Sequence, residues 1–166
     1  MKKLFLTTAI AVFLLICFNR IQAQTTQTKL NQVELLKQLI GNWKSEAFQD
    51  SIWTGECKSF GNGLEWSSKT ELKGKIVREG RSLMGYDKKN DKLIECDLSN
   101  SSPDIMLYSM WFTSANKLEE ILLKDVSHPE NAIISKYEFK SPDLFIETDL
   151  KNDKIINSYI FHRVKK

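Results

Sequence analysis

From residue 43 to the end of the chain, apolar and polar residues alternate with a period of two, broken at short intervals by turn-forming residues. Ten segments carry this pattern: 43–49, 52–60, 64–72, 75–86, 92–99, 105–113, 117–124, 132–140, 144–150 and 154–163. Gly61-Asn62-Gly63, Lys73-Gly74, the polar cluster from Asp87 to Asp91, Ser114-Ala115-Asn116, Ser141-Pro142-Asp143 and Asn152-Asp153 separate them, all chemistries that join adjacent antiparallel strands. A meander of ten strands with no intervening helix leaves two long edges unless the sheet closes on itself. The expectation is therefore an all-β, antiparallel up-and-down barrel of about 8–10 strands.

The alternation also sorts the faces. Leu64, Trp66, Ser68, Thr70 and Leu72 share one side of their strand, and Ile133, Ser135, Tyr137 and Phe139 share one side of theirs. Both sets are expected to point inward, and both mix apolar bodies with hydroxyls. A buried hydroxyl needs a hydrogen-bond partner, so the mixture suits a hydrated cavity better than a solid core. The stretch Ile105–Phe112 is apolar on both faces, with Ile105, Leu107 and Trp111 opposing Met106, Tyr108, Met110 and Phe112. The leading helix or a loop is expected to cover its outer side; the alternative is an apolar patch that mediates dimerisation.

Ahead of the strands the period changes. Val33, Leu36, Leu39 and Ile40 lie on one helical face, Asn31 and Glu34 form a capping box, and Gly41 is the stop, giving one short N-terminal helix over 31–40. Earlier still, Lys2 and Lys3 precede an apolar run from Leu4 to Phe18, and Ile21-Gln22-Ala23 stands before Gln24. That is the layout of a secretory signal peptide, residues 1–23, cleaved after Ala23. The run is shorter than the roughly 20 residues a spanning helix requires, and Thr7-Thr8 interrupts it. A single domain, 24–166, is expected to be secreted or periplasmic, with no stable membrane insertion after the signal is removed. A lipid anchor on Cys17 is the rival reading, but Ile16 occupies the place of the small residue that would precede such a cysteine.

Losing the signal removes Lys2, Lys3 and Arg20 and no acid, so the formal charge falls from +3 to a balance of 21 basic and 21 acidic residues. Neutrality argues against nucleic acid as a partner, because such binders carry a basic excess that displaces counterions from phosphate. Export would permit a disulfide between Cys57 and Cys96, but these fall on the second and fifth strands, which are not neighbours in a meander.

The junction Leu39-Ile40-Gly41-Asn42-Trp43 resembles the opening of lipocalin-like barrels of the calycin superfamily, in which a Gly-x-Trp motif follows an N-terminal helix and starts the first strand. The resemblance implies that Trp43 sits at the closed end of the barrel beneath a basic residue of the last strand, here Arg163. Gly41, Trp43 and Arg163 are thus expected to close the barrel rather than bind ligand. Eight strands are usual for lipocalins and ten for the related fatty-acid-binding-protein-like barrels. The implied function is extracytoplasmic binding or carriage of a small hydrophobic or amphipathic ligand, with no chemistry and no cofactor.

Candidate ligand contacts near the open mouth are Trp66, Tyr108, Tyr137, Phe139 and Ile146, with Arg81 or Arg78 available to meet a carboxylate. Alternatives are a protein-interaction module with a filled barrel that uses the outer face of Met106–Phe112, and a haem-binding protein similar to the nitrobindins, which would need His162 to face the cavity. Catalytic chemistry finds little support. Asp125, His128 and Glu130 match no familiar metal spacing and read as a loop bent by Pro129. Adjacent Glu119 and Glu120 must point to opposite faces, and Glu95 and Asp97 share a face expected to be wet. Trp53, Tyr86 and Tyr159 read as ordinary strand aromatics.

Overall fold

The computed structural model describes residues 29–48 and 50–165. The signal-peptide reading of residues 1–23 and the cleavage point after Ala23 lie outside them. A short helix, α1 (Gln32–Leu36), opens the described chain, capped by the Asn31 side chain, which accepts a hydrogen bond from the Glu34 amide at 3.1 Å. It tightens into a 3-10 turn over Lys37–Leu39, so the α-helix proper is only five residues long. Ten strands follow: β1 (Gly41–Phe48), β2 (Ser51–Phe60), β3 (Gly63–Leu72), β4 (Lys75–Asp87), β5 (Lys92–Ser99), β6 (Ser102–Ser114), β7 (Lys117–Leu122), β8 (Ile133–Ser141), β9 (Leu144–Lys151) and β10 (Lys154–Val164). All ten lie within a few residues of the segments marked by alternation.

Each strand pairs antiparallel with its successor, and β10 returns to β1 through Asn42–Val164, Trp43–Arg163 and Lys44–His162. The result is a closed barrel with no free edge. Turn chemistry explains the tight corners. Lys73 and Gly74 both take positive φ between β3 and β4, as do Asn152 and Asp153 between β9 and β10, the backbone that two-residue hairpins of the favoured twist require.

Register fixes which residues point inward. On β3 these are Leu64, Trp66, Ser68 and Thr70; on β8, Ile133, Ser135, Tyr137 and Phe139. Leu72, at the strand's end, is exposed. Apolar side chains concentrate at one end of the barrel, where Leu36, Leu39, Trp43, Leu64, Leu93, Met110, Phe112, Leu118, Phe139, Phe145 and Phe161 pack together. Phe145 is the hub of this floor, stacked on Phe161 at 4.5 Å and edge-on to Trp43 at 4.7 Å. The helix plugs the same end. Gln32 is buried and bonds both ways to the backbone of Phe112, donating from Nε2 to its carbonyl at 3.2 Å and accepting from its amide at 2.7 Å.

The Gly-x-Trp junction has a clear mechanical role. Trp43 is 1% exposed and donates from its indole to the Leu39 carbonyl at 2.7 Å. The Arg163 guanidinium lies 4.2 Å above the indole and donates to the carbonyls of Pro142 at 2.8 Å, Gln38 at 3.0 Å and Ile40. Gly41 is needed because any Cβ there would collide with that guanidinium, and because its φ of 142° is one that side-chain-bearing residues rarely adopt.

The helix caps the barrel's end and does not cover the outer side of β6, so Ile105 is 59% exposed and Leu107 42%. Trp111 is instead covered by Lys92, whose ammonium sits 3.5 Å from the ring centre. Cys57 and Cys96 are both free thiols, the first buried on the inner face.

Candidate functional site

A cavity of about 480 Å³ fills the barrel above its apolar floor. Its wall combines aromatic rings, from Trp53, Trp66, Tyr108, Tyr137, Phe145, Tyr159 and Phe161, with aliphatic and polar side chains. The polar residues include five acids: Glu95 and Asp97 from β5, Glu120 from β7, Glu147 and Asp149 from β9. Arg78 of β4 is the basic residue of the lining.

Pairing across the strands brings the acids together. Glu95 faces Tyr108 in register, Glu120 faces Ser135, and Glu147 faces Tyr137 and Tyr159 on either side. The Tyr137 hydroxyl donates a hydrogen bond to Glu120 Oε2. Nearer the rim the acids are already satisfied. Asp97 accepts from Ser82 at 2.8 Å and pairs with Arg78 at 3.6 Å, while Asp149 accepts from Ser135 at 2.6 Å and from Asn157 at 3.1 Å. Glu95, Glu120 and Glu147, deeper in, form no ion pair among the described residues.

The barrel wall removes these three from bulk water, and their titration shifts accordingly. Burial, then the neighbouring Glu120 and Asp97, raises Glu95 to about 8. Burial raises Glu120 to about 8 against the opposing Tyr137 hydrogen bond. Burial and Asp149, then Glu95, raise Glu147 to about 8. The Tyr137 phenol is pushed well above its ordinary range, by burial first and then by Glu120 and Glu147. Raised in this way, the three glutamates hold their protons to higher pH than free side chains do.

No family model matches the sequence, and a search among curated proteins found no match.

Of the candidate contacts named from sequence, Trp66, Tyr108 and Tyr137 line the cavity. Phe139 points inward but belongs to the floor, stacked on Phe112 at 6.2 Å. Ile146 lies on the outer face of β9, between Glu138 and Ile160, because the inward residues of that strand are Phe145, Glu147 and Asp149. Arg81 is also on the outside, with its side chain 77% exposed and 3.8 Å from Glu65, and it is Arg78 that turns inward. His162 pairs with Lys44 and Leu144 and is exposed on the outer face, so it cannot ligate a haem iron within the barrel. The cavity likewise replaces the filled interior of the interaction-module reading. His128 is exposed, with its ring nitrogen 3.5 Å from Glu130, and no group of three potential ligands among the described residues could hold a metal ion.

Glu95 and Asp97 share a face, as expected, and it is the inner face of β5, turned into the cavity, while Ile94, Cys96 and Leu98 face outward. Trp53 and Tyr159 also belong to the cavity wall. Gly55 makes room for the Trp53–Trp66 pair, whose ring centres are 5.6 Å apart, since a Cβ at 55 would lie 2.9 Å from the Trp66 indole nitrogen and closer still to Trp53.

Proposed function

We propose that this protein is a lipocalin-like carrier that works outside the cytoplasm, enclosing a small amphipathic molecule reversibly in its barrel. The observation that carries this reading is the 480 Å³ cavity, bounded by aromatic rings and by carboxyl groups above a packed floor. Ligand pockets are typically concave, mostly apolar and furnished with a few convergent polar groups, and a volume of this size suits a small molecule. The aromatic wall supplies the driving force, roughly 25 cal/mol for each Å² of apolar ligand surface taken from water, and the polar groups fix orientation. Export is supported by the charged and apolar N-terminal stretch, and lipocalin likeness by the Gly41-Asn42-Trp43 opening beneath Arg163. Enclosure needs no covalent chemistry and assigns none.

Native mass spectrometry of the protein, purified from an extracytoplasmic fraction without added ligand, tests the proposal. A mass excess that disappears on denaturation supports carriage and gives the ligand's size. A bare chain that also binds no small amphiphile on titration refutes it.

A second reading rests on the outer surface. Leu83, Cys96 and Leu107 stand side by side across β4, β5 and β6, with Leu98 and Ile105 beyond them, and Leu83 and Leu98 are each 50% exposed. An uncovered apolar strip of this kind is where a homodimer would form. Light scattering over a concentration series checks this: a dimer that Leu107→Lys dissociates supports it, and a monomer at all concentrations removes it.

A further inference from the structure

We propose that the cavity selects a protonated amine with an apolar body, its ammonium head among Glu95, Glu120 and Glu147 and its body against Trp53, Trp66 and Tyr108. The inference rests on the carrier reading above and names the class of cargo.

Charge balance inside the barrel is the first argument. Five carboxyl groups and one guanidinium line the cavity, and that guanidinium, Arg78, is engaged at the rim with Asp97. The three deep glutamates have hydroxyl neighbours and form no ion pair among the described residues, with Arg78 acting on Glu147 only at a distance. Carboxyl groups withdrawn from water without a positive partner are costly in a fold, and a ligand that supplies the partner recovers that cost.

Acids alone would not define a ligand; the walls around them do. Trp53, Trp66 and Tyr108 present rings to the same space, and the electron-rich faces of indoles and phenols attract an alkylammonium as well as its hydrocarbon chain. The Tyr108 hydroxyl has no hydrogen-bond partner among the described residues, which leaves it free for a ligand N–H. An anionic ligand would have to pass Asp97 and Asp149 at the rim and would find the guanidinium of the lining, Arg78, already paired with Asp97. A bare metal ion is served poorly too, because no three of the carboxyl groups come close enough together to hold one. An ammonium group, with two or three N–H bonds diverging from one nitrogen, can reach acceptors that are spread around a wall.

Proton linkage gives the proposal a signature beyond affinity. Glutamates that hold their protons in the free protein give them up when an ammonium arrives, since the ion pair favours the carboxylate. Amine binding therefore releases protons and tightens as pH rises from 6 to 8.5.

The test is isothermal titration calorimetry of the full chain with three probes of equal length: octylammonium, octanol and octanoate. Octylammonium is expected to bind at least tenfold more tightly than either of the others, with proton release shown by the difference in heat between two buffers of unlike ionisation enthalpy. Glu147→Gln is expected to weaken octylammonium at least fivefold and leave octanol unchanged. Glu119→Gln, on the outer face of β7 beside Lys136, is expected to change neither. If Glu147→Gln does not fold by near-ultraviolet circular dichroism, Glu95→Gln takes its place. Octanol or octanoate binding as tightly as octylammonium overturns the amine inference and leaves the carrier reading intact. Failure of all three probes to bind overturns both.

Discussion

Replacing Glu147 with glutamine should flatten the dependence of stability on pH. In the folded protein this carboxyl titrates near 8, against 4.5 for the free side chain. Between those values the folded state keeps a proton that the unfolded state has released, so stability is full below about pH 4.5 and is lost as pH rises through 8. At 1.36 kcal/mol per pH unit the ceiling on that loss is about 5 kcal/mol for this one side chain. Glu147 faces a cavity large enough for water, so a loss of about 2 kcal/mol is the expectation, with Glu95 and Glu120 adding losses of the same sign. The amide of glutamine keeps the shape and cannot ionise. Glu147→Gln should therefore match the parent at pH 5 and exceed it by about 2 kcal/mol at pH 9, equivalent to roughly 4–8 °C in Tm for a domain of this size. Urea unfolding at pH 5, 7 and 9 measures it, with the slope checked for constancy. Parallel pH profiles for parent and variant would refute the argument, since they would mean that Glu147 ionises as freely inside the barrel as outside.

Three further outcomes follow from the packing. Arg163→Ala removes donors from three backbone carbonyls at once and should lower stability by about 3 kcal/mol in thermal unfolding, and Arg163→Lys should recover less than half because an ammonium cannot fork to all three. Gly55→Ala drives a methyl group into Trp53 and Trp66 and should cost about 1–3 kcal/mol, shift the tryptophan emission spectrum and weaken any cavity ligand; an unchanged spectrum would show that the wall yields elsewhere. Burial, with Glu95 nearby, pushes the Cys57 thiol up to about 12, so a thiol reagent at pH 8 should label Cys96 and spare Cys57 in the native barrel, and label both in denaturant.

The strands were legible because their punctuation is chemical: Lys73-Gly74 and Asn152-Asp153 accept the positive φ that closes a tight hairpin, and the flanking alternation extends on either side. The floor was legible through Trp43, whose neighbours Gly41 and Arg163 make sense only together. The acidic wall was not. On β5 the period of two sets Leu93, Glu95 and Asp97 against Ile94, Cys96 and Leu98, and hydropathy alone assigns the second set to the interior. Leu93 is fully buried at the inner end of its strand, however, and one buried leucine in the floor commits the residues two and four places later to the cavity. Arg81 and Ile146 were misplaced for the same reason, since each sits one residue from an inward neighbour, Ser82 and Phe145 respectively. What decides the face is an anchor at the strand's end, and the anchor is recognisable only once the floor is known.

Closure between β1 and β10 joins the first strand of the barrel to the last. In this register the seam is missing until β10 arrives with Tyr159, Phe161 and Arg163. During synthesis the barrel therefore cannot shut until β10 has been made, and the slowest folding step should be the longest-range one. The cavity is then enclosed by all ten strands or not at all: fraying of β10 unlatches Arg163 from Trp43, opens the floor and the seam together, and turns a vessel back into a ribbon.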